Sequence, residues 1–508
     1  MITRNRRKAS PRRVGTLNSM AALVAIAALS LGVFLSSSAA APSESGNSGL
    51  DGFWVSDGYG FLFEIHGRKM RLSLTTVHSC APVAVARRTA NTPPGAEAAF
   101  VVDKKRSLPV LDVDSGLLTI SAGRKRDVKR LRVDGAISDI VLARAVAEPP
   151  TCAKRHNTPL HNFDVFWETF REQYPFFALK GVDWDAMRSR FRSRITNSTT
   201  PAQLFAIFVE MIKPLEDAHT SVELESKDLD FTGERPDPQP LRDADFKRVT
   251  KIIDSQLVQK RRSFANGHVS FGRLPHGIGY LRLTSFSEYT DSGRISEALV
   301  ELDRALDVAF AGPMAGLVID VRVNDGGSDV LGVAIASRLT RKAYTAYAKA
   351  ARNDAVDPHA FTTPQVITVA PSTDTRFDGP IAVLTSRYSV SAAETFTQAL
   401  LGRPGDACSS VVRIGENTQG VFSDVLLRTL PNTIAFELPN EVYTTDGKSF
   451  DQVGIAPHIR TGLVFKRSNL SAGHDPELDA AMKALTSKHR CPGDPVSDSA
   501  PGQGPTSR

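Results

Sequence analysis

The residues Ile381-Ala-Val-Leu-Thr385, followed by Ser386-Arg-Tyr-Ser-Val-Ser391, decide the fold of this chain. An apolar run of this kind is typical of a strand buried on both faces of a mainly parallel sheet. A helix-like segment, 392–401, comes directly after the turn. The same order occurs earlier, where Gly316-Leu-Val-Ile-Asp320 precedes a turn and a helix-like segment, 330–339. The repetition predicts the β-loop-α units of an α/β fold.

The turns after these two strands carry residues suited to chemistry, because reacting groups gather at the carboxyl ends of strands in open α/β sheets. Ser391 stands where a helix begins, and the N–H of Ala392 can there stabilise an oxyanion. Gly326 and Gly327 follow the earlier strand, and either would supply a second donor. An Asn-Asp-Gly-Gly segment is also a common turn, so a purely structural turn is the alternative.

A serine nucleophile needs a base within hydrogen-bond reach. Among the 11 histidines, His219 is the most suggestive, since it stands in Glu216-Asp-Ala-His-Thr220 after an amphipathic helix-like stretch, 201–212. A lone histidine near a helix end is more often structural. Its catalytic interpretation depends on the order of motifs along the chain.

These motifs resemble the tail-specific, or C-terminal-processing, serine peptidase superfamily, and in particular its tricorn-like branch, which includes the retinoid-binding repeats of the eye. The resemblance covers roughly residues 162–459. Its main motifs are Asp217-x-His-Thr220, Asp320-x-Arg-x-Asn-x-Gly-Gly327, Ser389-x-Ser-Ala-Ala-Glu394, Gly415-Glu-x-Thr-x-Gly420 and Val453-Gly-Ile-Ala-Pro457. The resemblance implies an α/β fold with a crotonase-like ββα peptidase core and a helical lead-in subdomain. The pattern of the residues before them separately predicts a small antiparallel β domain.

The resemblance also implies a catalytic set. Ser391 would be the nucleophile, His219 the general base and Asp451 the acid that orients the imidazole. Gly326, Gly327 and Ala392 would form the oxyanion hole. No metal and no cofactor are expected.

Three positions bear on this assignment. The tail-specific branch uses a lysine shortly after Gly420, and Val421-Phe-Ser423 stands there instead, so a Ser/Lys dyad is not expected. Asp451 is one methylene shorter than the glutamate usual in the tricorn-like branch. Three arrangements therefore stay open: a direct contact with His219, a water-bridged contact, or no contact. Ala218 replaces a serine that helps hold the acid in some relatives.

The expected function is therefore that of an exported serine peptidase that hydrolyses polypeptide substrates through an acyl-enzyme. One alternative is a catalytically inactive protein that binds a hydrophobic ligand or peptide on the same scaffold. Another is an esterase or amidase that uses the same site.

The chain begins like a secretory precursor. Six basic residues in 4–13 precede an apolar run, 20–35, and a small-residue segment that ends at Ala41, so residues 1–41 are expected to be a signal peptide of a periplasmic or secreted protein. An uncleaved membrane anchor is the alternative. Loss of this leader lowers the formal net charge from +7 to +1. The basic balance therefore does not indicate a nucleic-acid partner.

Shifts in composition along the chain after the leader predict its division into domains. Short alternating runs in 49–150 predict a barrel or sandwich, with early aromatic residues in its core. Residues 155–240 form the helical subdomain that carries the base, with a charged linker predicted at 223–239. Residues 265–465 form the peptidase core, and 466–508 a helix, 476–488, with a disordered tail. The segment 240–268 is too short for an inserted PDZ domain.

Four cysteines, an even number, suit an oxidising compartment. Three pairings are possible. Bridges from Cys80 to Cys152 and from Cys408 to Cys491 would each stay within one unit.

Overall fold

The computed structural model describes residues 49–108, 116–153, 156–235, 241–405 and 410–487. The predicted leader, the C-terminal tail, Cys408 and Cys491 lie outside these ranges. Cys80 and Cys152 form a disulfide, which confirms that predicted pairing. Within the described ranges, no helix is both long and apolar enough to cross a membrane.

The first unit is a closed antiparallel barrel of eight strands, closed because the first strand pairs with both the second and the eighth. Its strands are β1 (Gly52–Ser56), β2 (Phe61–His66), β3 (Lys69–Thr75), β4 (Cys80–Arg88), β5 (Ala98–Val102), β6 (Leu117–Ala122), β7 (Val128–Val133) and β8 (Ile140–Ala145). Trp54, Phe61, Phe63 and Phe100 fill its interior. The predicted small antiparallel β domain is confirmed as a barrel with an aromatic core.

A helical subdomain follows the barrel. It contains α1 (Pro159–Gln173), α2 (Phe177–Lys180), α3 (Trp184–Arg192) and α4 (Pro201–Ile212). Thr200 begins α4 in a reciprocal capping arrangement with Gln203. The rings of Phe166 on α1 and Phe208 on α4 stack with centroids 3.9 Å apart. This aromatic packing holds together the short helices, which would be marginal in isolation.

The segment predicted as a charged linker contains two strands instead, β9 (Ser221–Leu224) and β10 (Leu229–Thr232). They belong to a four-stranded sheet of order β10-β9-β20-β19, whose other strands are β19 (Val425–Thr429) and β20 (Ala435–Pro439). The linker prediction was wrong because β9 obtains its pairing from β20, about two hundred residues later in the chain. This pairing places the segment after His219 beside the C-terminal part of the core.

The main sheet has seven strands in the order β11-β12-β13-β14-β17-β18-β22 and is parallel from β13 onward. Its strands are β11 (Gln259–Phe264), β12 (Val269–Arg273), β13 (Ile278–Leu283), β14 (Gly316–Asp320), β17 (Ile381–Thr385), β18 (Val411–Gly415) and β22 (Ile459–Arg460). A three-stranded sheet, with β15 (Tyr344–Ala351) between β16 (Gln365–Val369) and β21 (Glu441–Thr444), lies beside it.

Helices cover both faces of the main sheet. The helices of this region are α5 (Asp243–Gln256), α6 (Ile295–Phe310), α7 (Asp329–Ser337), α8 (Ala392–Ala399), α9 (Arg467–Ala472) and α10 (Pro476–Thr486). Along β17, Ile381 and Val383 pack into the core that contains α6, α7 and α8, whereas Ala382 and Leu384 pack into the core that contains α5 and α10. Two-sided burial explains the nearly continuous apolar sequences of the central strands, and the predicted α/β class is confirmed.

The barrel packs closely against the rest of the molecule. Its interior and the helical subdomain belong to one continuous hydrophobic cluster, which also contains Phe436 of β20. The hydroxyl of Tyr59, in the turn between β1 and β2, donates a 2.6 Å hydrogen bond to Glu441 at the start of β21. The barrel therefore completes the core of the helical subdomain.

Candidate active site

The neighbouring parallel strands β14 and β17 end at the same edge of the sheet, and the two predicted motifs meet there. A Cβ atom placed on Gly326, in the loop after β14, would lie 2.6 Å from Cβ of Ser391, in the turn after β17. The structure thus brings together the predicted nucleophile and the predicted glycine pair. Only a residue without a side chain allows this approach.

Ser391 has the backbone angles φ 55° and ψ −121° and stands directly before α8. A positive φ is unfavourable for a residue with a Cβ atom and is often found at functional sites. Its N–H lies 3.2 Å from the carbonyl oxygen of Val421 and 3.2 Å from Oε2 of Glu394. These contacts hold the serine in a sharp strand-to-helix turn.

The two glycines differ in what their N–H groups do. The N–H of Gly326 donates to Oδ1 of Asn324 at 2.9 Å. In the described part of the chain, the N–H groups of Gly327 and Ala392 have no hydrogen-bond partner, and both are therefore available to an oxyanion. Gly327 has φ 126°, and a Cβ there would lie 2.3 Å from the carbonyl of Phe286. The close packing explains why the loop requires glycine at this position.

His219 follows a turn that is built by Asp217. Asp217 is buried, accepts from the His219 N–H at 3.0 Å and accepts from the Tyr174 hydroxyl at 2.8 Å. The imidazole is half-buried, with Nδ1 3.0 Å from the carbonyl oxygen of Phe422. The aspartate of the Asp-x-His motif thus fixes the backbone of His219, and its side chain meets the segment after Gly420.

Asp451 also contacts Phe422, at its N–H group instead of its carbonyl oxygen. Its Oδ1 accepts from the N–H of Phe422 at 3.2 Å, and its Oδ2 accepts from the hydroxyl of Ser449 at 2.7 Å. Asp451 and His219 form no direct hydrogen bond within the described residues; the backbone of one residue, Phe422, lies between them. Burial raises the pKa of Asp451 to about 7, although Ser449 and the Phe422 N–H oppose the shift.

The segment Gly420-Val-Phe422 is therefore the point where the three predicted residues meet. Val421 accepts from Ser391, and Phe422 contacts both His219 and Asp451. The segment itself is held by Glu394, whose carboxylate accepts from the N–H groups of Gly420 at 2.6 Å and Val421 at 2.8 Å. No side chain of the segment takes part in these bonds.

The motif that contains Glu394 did not by itself indicate a role for this residue. It is fully buried, and it also accepts from the Ser391 N–H. Burial raises its pKa to about 7, against the effect of its hydrogen bonds. The spacing Ser391-x-x-Glu394 at a helix start is the capping-box pattern, which could have indicated this contact.

The Asp320-x-Arg322 pair of the glycine motif has a structural role. Arg322 is buried and pairs with Asp320 at 2.7 Å, Asp475 at 2.8 Å and Glu477 at 2.9 Å. The carboxylates of the last two lie at the start of α10. This ion cluster ties α10 to the strand end from which the glycine loop leaves the sheet.

A hydrogen bond and close backbone packing join the last two motifs, which contain Thr418 and Gly454. The Thr418 hydroxyl accepts from the Ile455 N–H at 2.7 Å, and a Cβ on Gly454 would lie 2.0 Å from the Thr418 carbonyl oxygen. Glycine at 454 therefore lets the chain after Asp451 pack directly against the chain before Gly420.

Comparison with known proteins agrees with this geometry. The model of peptidase family S41 matches residues 277–461, and that of the tricorn protease C1 domain matches residues 155–213. A structure of a candidate peptidase from Parabacteroides merdae is 26% identical, with a TM-score of 0.54, and the match covers 66% of this chain and 98% of that one. No curated protein matches the chain.

Two further structures are more distant. A lipoprotein from Streptococcus agalactiae is 17% identical, with a TM-score of 0.45, and the match covers 66% of this chain and 99% of the other. Mature CPAF is 12% identical, also with a TM-score of 0.45, and the match covers 65% and 98% of the two chains. The two family models confirm the resemblance recognised from the sequence: residues 277–461 match the model of peptidase family S41, and residues 155–213 before them match that of the tricorn protease C1 domain.

Proposed function

We propose that this protein is an exported serine peptidase in which Ser391 is the nucleophile and His219 the general base. The observation that carries the proposal is the meeting of Ser391, His219 and Asp451 on the backbone of Gly420-Val-Phe422. In this arrangement Nδ1 of His219 donates its proton to the Phe422 carbonyl, and Nε2 is free to accept a proton from the serine. Asp451 acts as a positioning residue that holds the Phe422 peptide.

The reaction would proceed in two halves. The Ser391 oxygen attacks the carbonyl carbon of the scissile peptide bond while His219 takes the serine proton. The N–H groups of Gly327 and Ala392 would stabilise the oxyanion. The C–N bond then breaks, and His219 gives its proton to the leaving amine. In the second half, His219 deprotonates a water molecule that attacks the acyl-enzyme, which releases the carboxylate product and restores Ser391.

Lys349 does not offer an alternative base. It is buried, lies 2.9 Å from Glu441 and contacts Asp424. Burial alone would lower the pKa of Lys349, but the two carboxylates raise it above its ordinary value. A lysine that stays charged cannot accept the serine proton, which favours the Ser/His assignment over a Ser/Lys dyad.

Export is supported by the leader-like residues 1–41 and by the Cys80–Cys152 disulfide, since stable disulfides are rare in reducing compartments. The expected substrate is a polypeptide. No cofactor is included in the proposal.

The test is labelling of the purified protein with a fluorophosphonate probe, which reacts with activated serines. We expect labelling that Ser391→Ala and His219→Ala both abolish, while Ser389→Ala, which changes a serine bonded to Val321 in the same motif, keeps it. New amino groups released from denatured casein would then separate a peptidase from an esterase. A folded parent protein that is not labelled would support the inactive binding protein instead.

A further inference from the structure

A cavity lies between the barrel and the helical subdomain, and none of the residues of the Ser391 site line it. Its volume is about 320 Å³, within the range of roughly 300–1,000 Å³ that small-molecule sites occupy. Strands β3 and β4 form one wall, and α1 with the β19–β20 hairpin forms the other. The apolar lining includes Leu74, Ala81, Val83, Val165, Leu430 and Phe436.

One buried cation lines this otherwise mainly apolar space. Arg428 is 4% exposed, and its guanidinium group lies over the ring of Phe61 at 4.8 Å. It donates to the carbonyl oxygens of Leu427 at 3.1 Å and of Tyr59. Its contacts among the described residues are with carbonyl oxygens and an aromatic ring and with no carboxylate, and burial lowers its pKa to about 9. A buried charge without a counterion is costly, so an anion beside Arg428 would be stabilised.

Polar side chains also line the cavity, among them Thr76, His156 and His161. His156 is exposed, and its ring lies 5.4 Å from the ring of His161, at the beginning of α1. Glu168, whose Oε2 accepts from the Thr76 hydroxyl in the lining, is already paired with His78 at 2.7 Å. The cavity thus combines mainly apolar walls, a few polar groups and a cation that is held by backbone carbonyls.

We propose that this cavity binds a linear aliphatic carboxylate, with the carboxylate group at Arg428 and the hydrocarbon chain along the apolar walls. The two requirements of such a ligand, a mainly apolar lining and a buried positive charge, are both present. Arginine suits the head group because its planar fork matches a carboxylate. The proposal does not depend on the peptidase reaction, since neither Ser391 nor His219 lines this cavity.

The experiment is calorimetric titration of the full chain with dodecanoate and, separately, with dodecanol. We expect dodecanoate to bind at one site at least tenfold more tightly than the alcohol. Arg428→Met, which keeps an unbranched apolar stem and removes the positive charge, should abolish that preference. Val165→Trp, which fills the cavity from α1, should abolish binding of both ligands.

Matched controls separate this site from other effects. Arg403 is a similarly buried arginine, 8% exposed, that donates to the carbonyls of Leu339 and Gly379 far from the cavity. Arg403→Met should bind dodecanoate as the parent does, and so should Ser391→Ala, even where labelling of the serine fails. Equal affinity of the parent for acid and alcohol, absence of binding, or unchanged binding in a folded Val165→Trp would each overturn the proposal. The ligand comparison on the parent and Val165→Trp remain decisive where Arg428→Met does not fold.

Discussion

Nδ1 of His219 lies 3.0 Å from the carbonyl oxygen of Phe422. A carbonyl oxygen can only accept, so the hydrogen bond requires the proton on Nδ1 and leaves Nε2 of the neutral ring as the acceptor. In a Ser-His-Asp triad, a carboxylate fixes this tautomer. Here the main chain does so, and Asp451 acts on the other side of the same residue.

Asp451→Asn is therefore expected to be mild. The asparagine Oδ1 can still accept from the Phe422 N–H, so we expect the rate of fluorophosphonate labelling to fall about tenfold or less, equivalent to about 1.4 kcal/mol. Loss of the acid in a direct triad costs about 10⁴-fold. Asp451→Ala, which leaves the Phe422 N–H without its partner, should lose more than Asp451→Asn. A loss near 10⁴-fold for the asparagine variant would mean that Asp451 contacts His219 directly in the reacting enzyme.

Stability should depend on pH through Asp451 and Glu394. Burial raises the pKa of both to about 7 from ordinary values of 3.8 and 4.5. Between these values the folded protein keeps protons that the unfolded chain releases, so stability decreases as pH rises toward 7 and levels off above it. Denaturant unfolding at pH 5 and pH 8 measures the difference.

Asp451→Asn should reduce that difference by a few kcal/mol, because each pKa unit corresponds to about 1.4 kcal/mol. The variant cannot ionise and gains stability relative to the parent at pH 8. Ser391→Ala keeps both carboxyl groups and should retain the full pH dependence. An identical pH dependence in the parent and in Asp451→Asn would show that the Asp451 carboxyl does not titrate in this window.

Gly327→Ala should remove activity. The new Cβ would lie 2.3 Å from the Phe286 carbonyl, and moving the loop displaces a proposed oxyanion donor. We expect labelling to fall by about 100-fold or more. Gly447→Ala is the matched control, since Gly447 also has a positive φ, 73°, but has no atom within 4 Å of the added Cβ. That variant should lose about 1 kcal/mol of stability and keep its labelling rate. Equal labelling rates of the two variants would argue against a role for Gly327.

Asp475→Ala should destabilise the fold. It leaves Arg322, which is 1% exposed, without one of its three carboxylates, and breaking a buried ion pair costs about 3–5 kcal/mol. Chemical denaturation gives the value. The control is Glu210→Gln, which breaks an exposed pair with Arg194 and should cost less than about 1 kcal/mol. A cost for Asp475→Ala no larger than that of the control would show that α10 is held mainly by its apolar face.

The α/β core could be predicted from the sequence because its central strands, which are buried on both faces, are apolar runs. Each of these runs is followed by a recognisable motif. The apolar runs at 316–320 and 381–385 became β14 and β17, and the motifs that follow them meet at one edge. The barrel was also predictable, since its strands alternate inward and outward side chains. Strands β9 and β10 were missed because their charged sequence forms strands only through a distant partner.

The candidate site was predictable in its side chains and not in its backbone. Ser391, His219 and the glycines were identified from motifs, but the contact of His219 with Phe422 uses a carbonyl that any residue would supply. For the same reason, Gly326 and Gly327 could not be told apart as oxyanion donors from the motif alone. Asn324 makes that choice, by accepting from the first N–H.

The hydrogen bond from Tyr59 to Glu441 and the shared hydrophobic cluster set a lower limit to the size of a working enzyme. A gene fragment that encodes only the region matched by the family S41 model, residues 277–461, would lack both the barrel and α1, which share a hydrophobic cluster with β20. Such a fragment would expose apolar residues of that cluster to water and would aggregate. Trimming this protein to a minimal catalyst must therefore retain residues from about Gly49 onward, and insertions are better placed on the outer loops of the barrel.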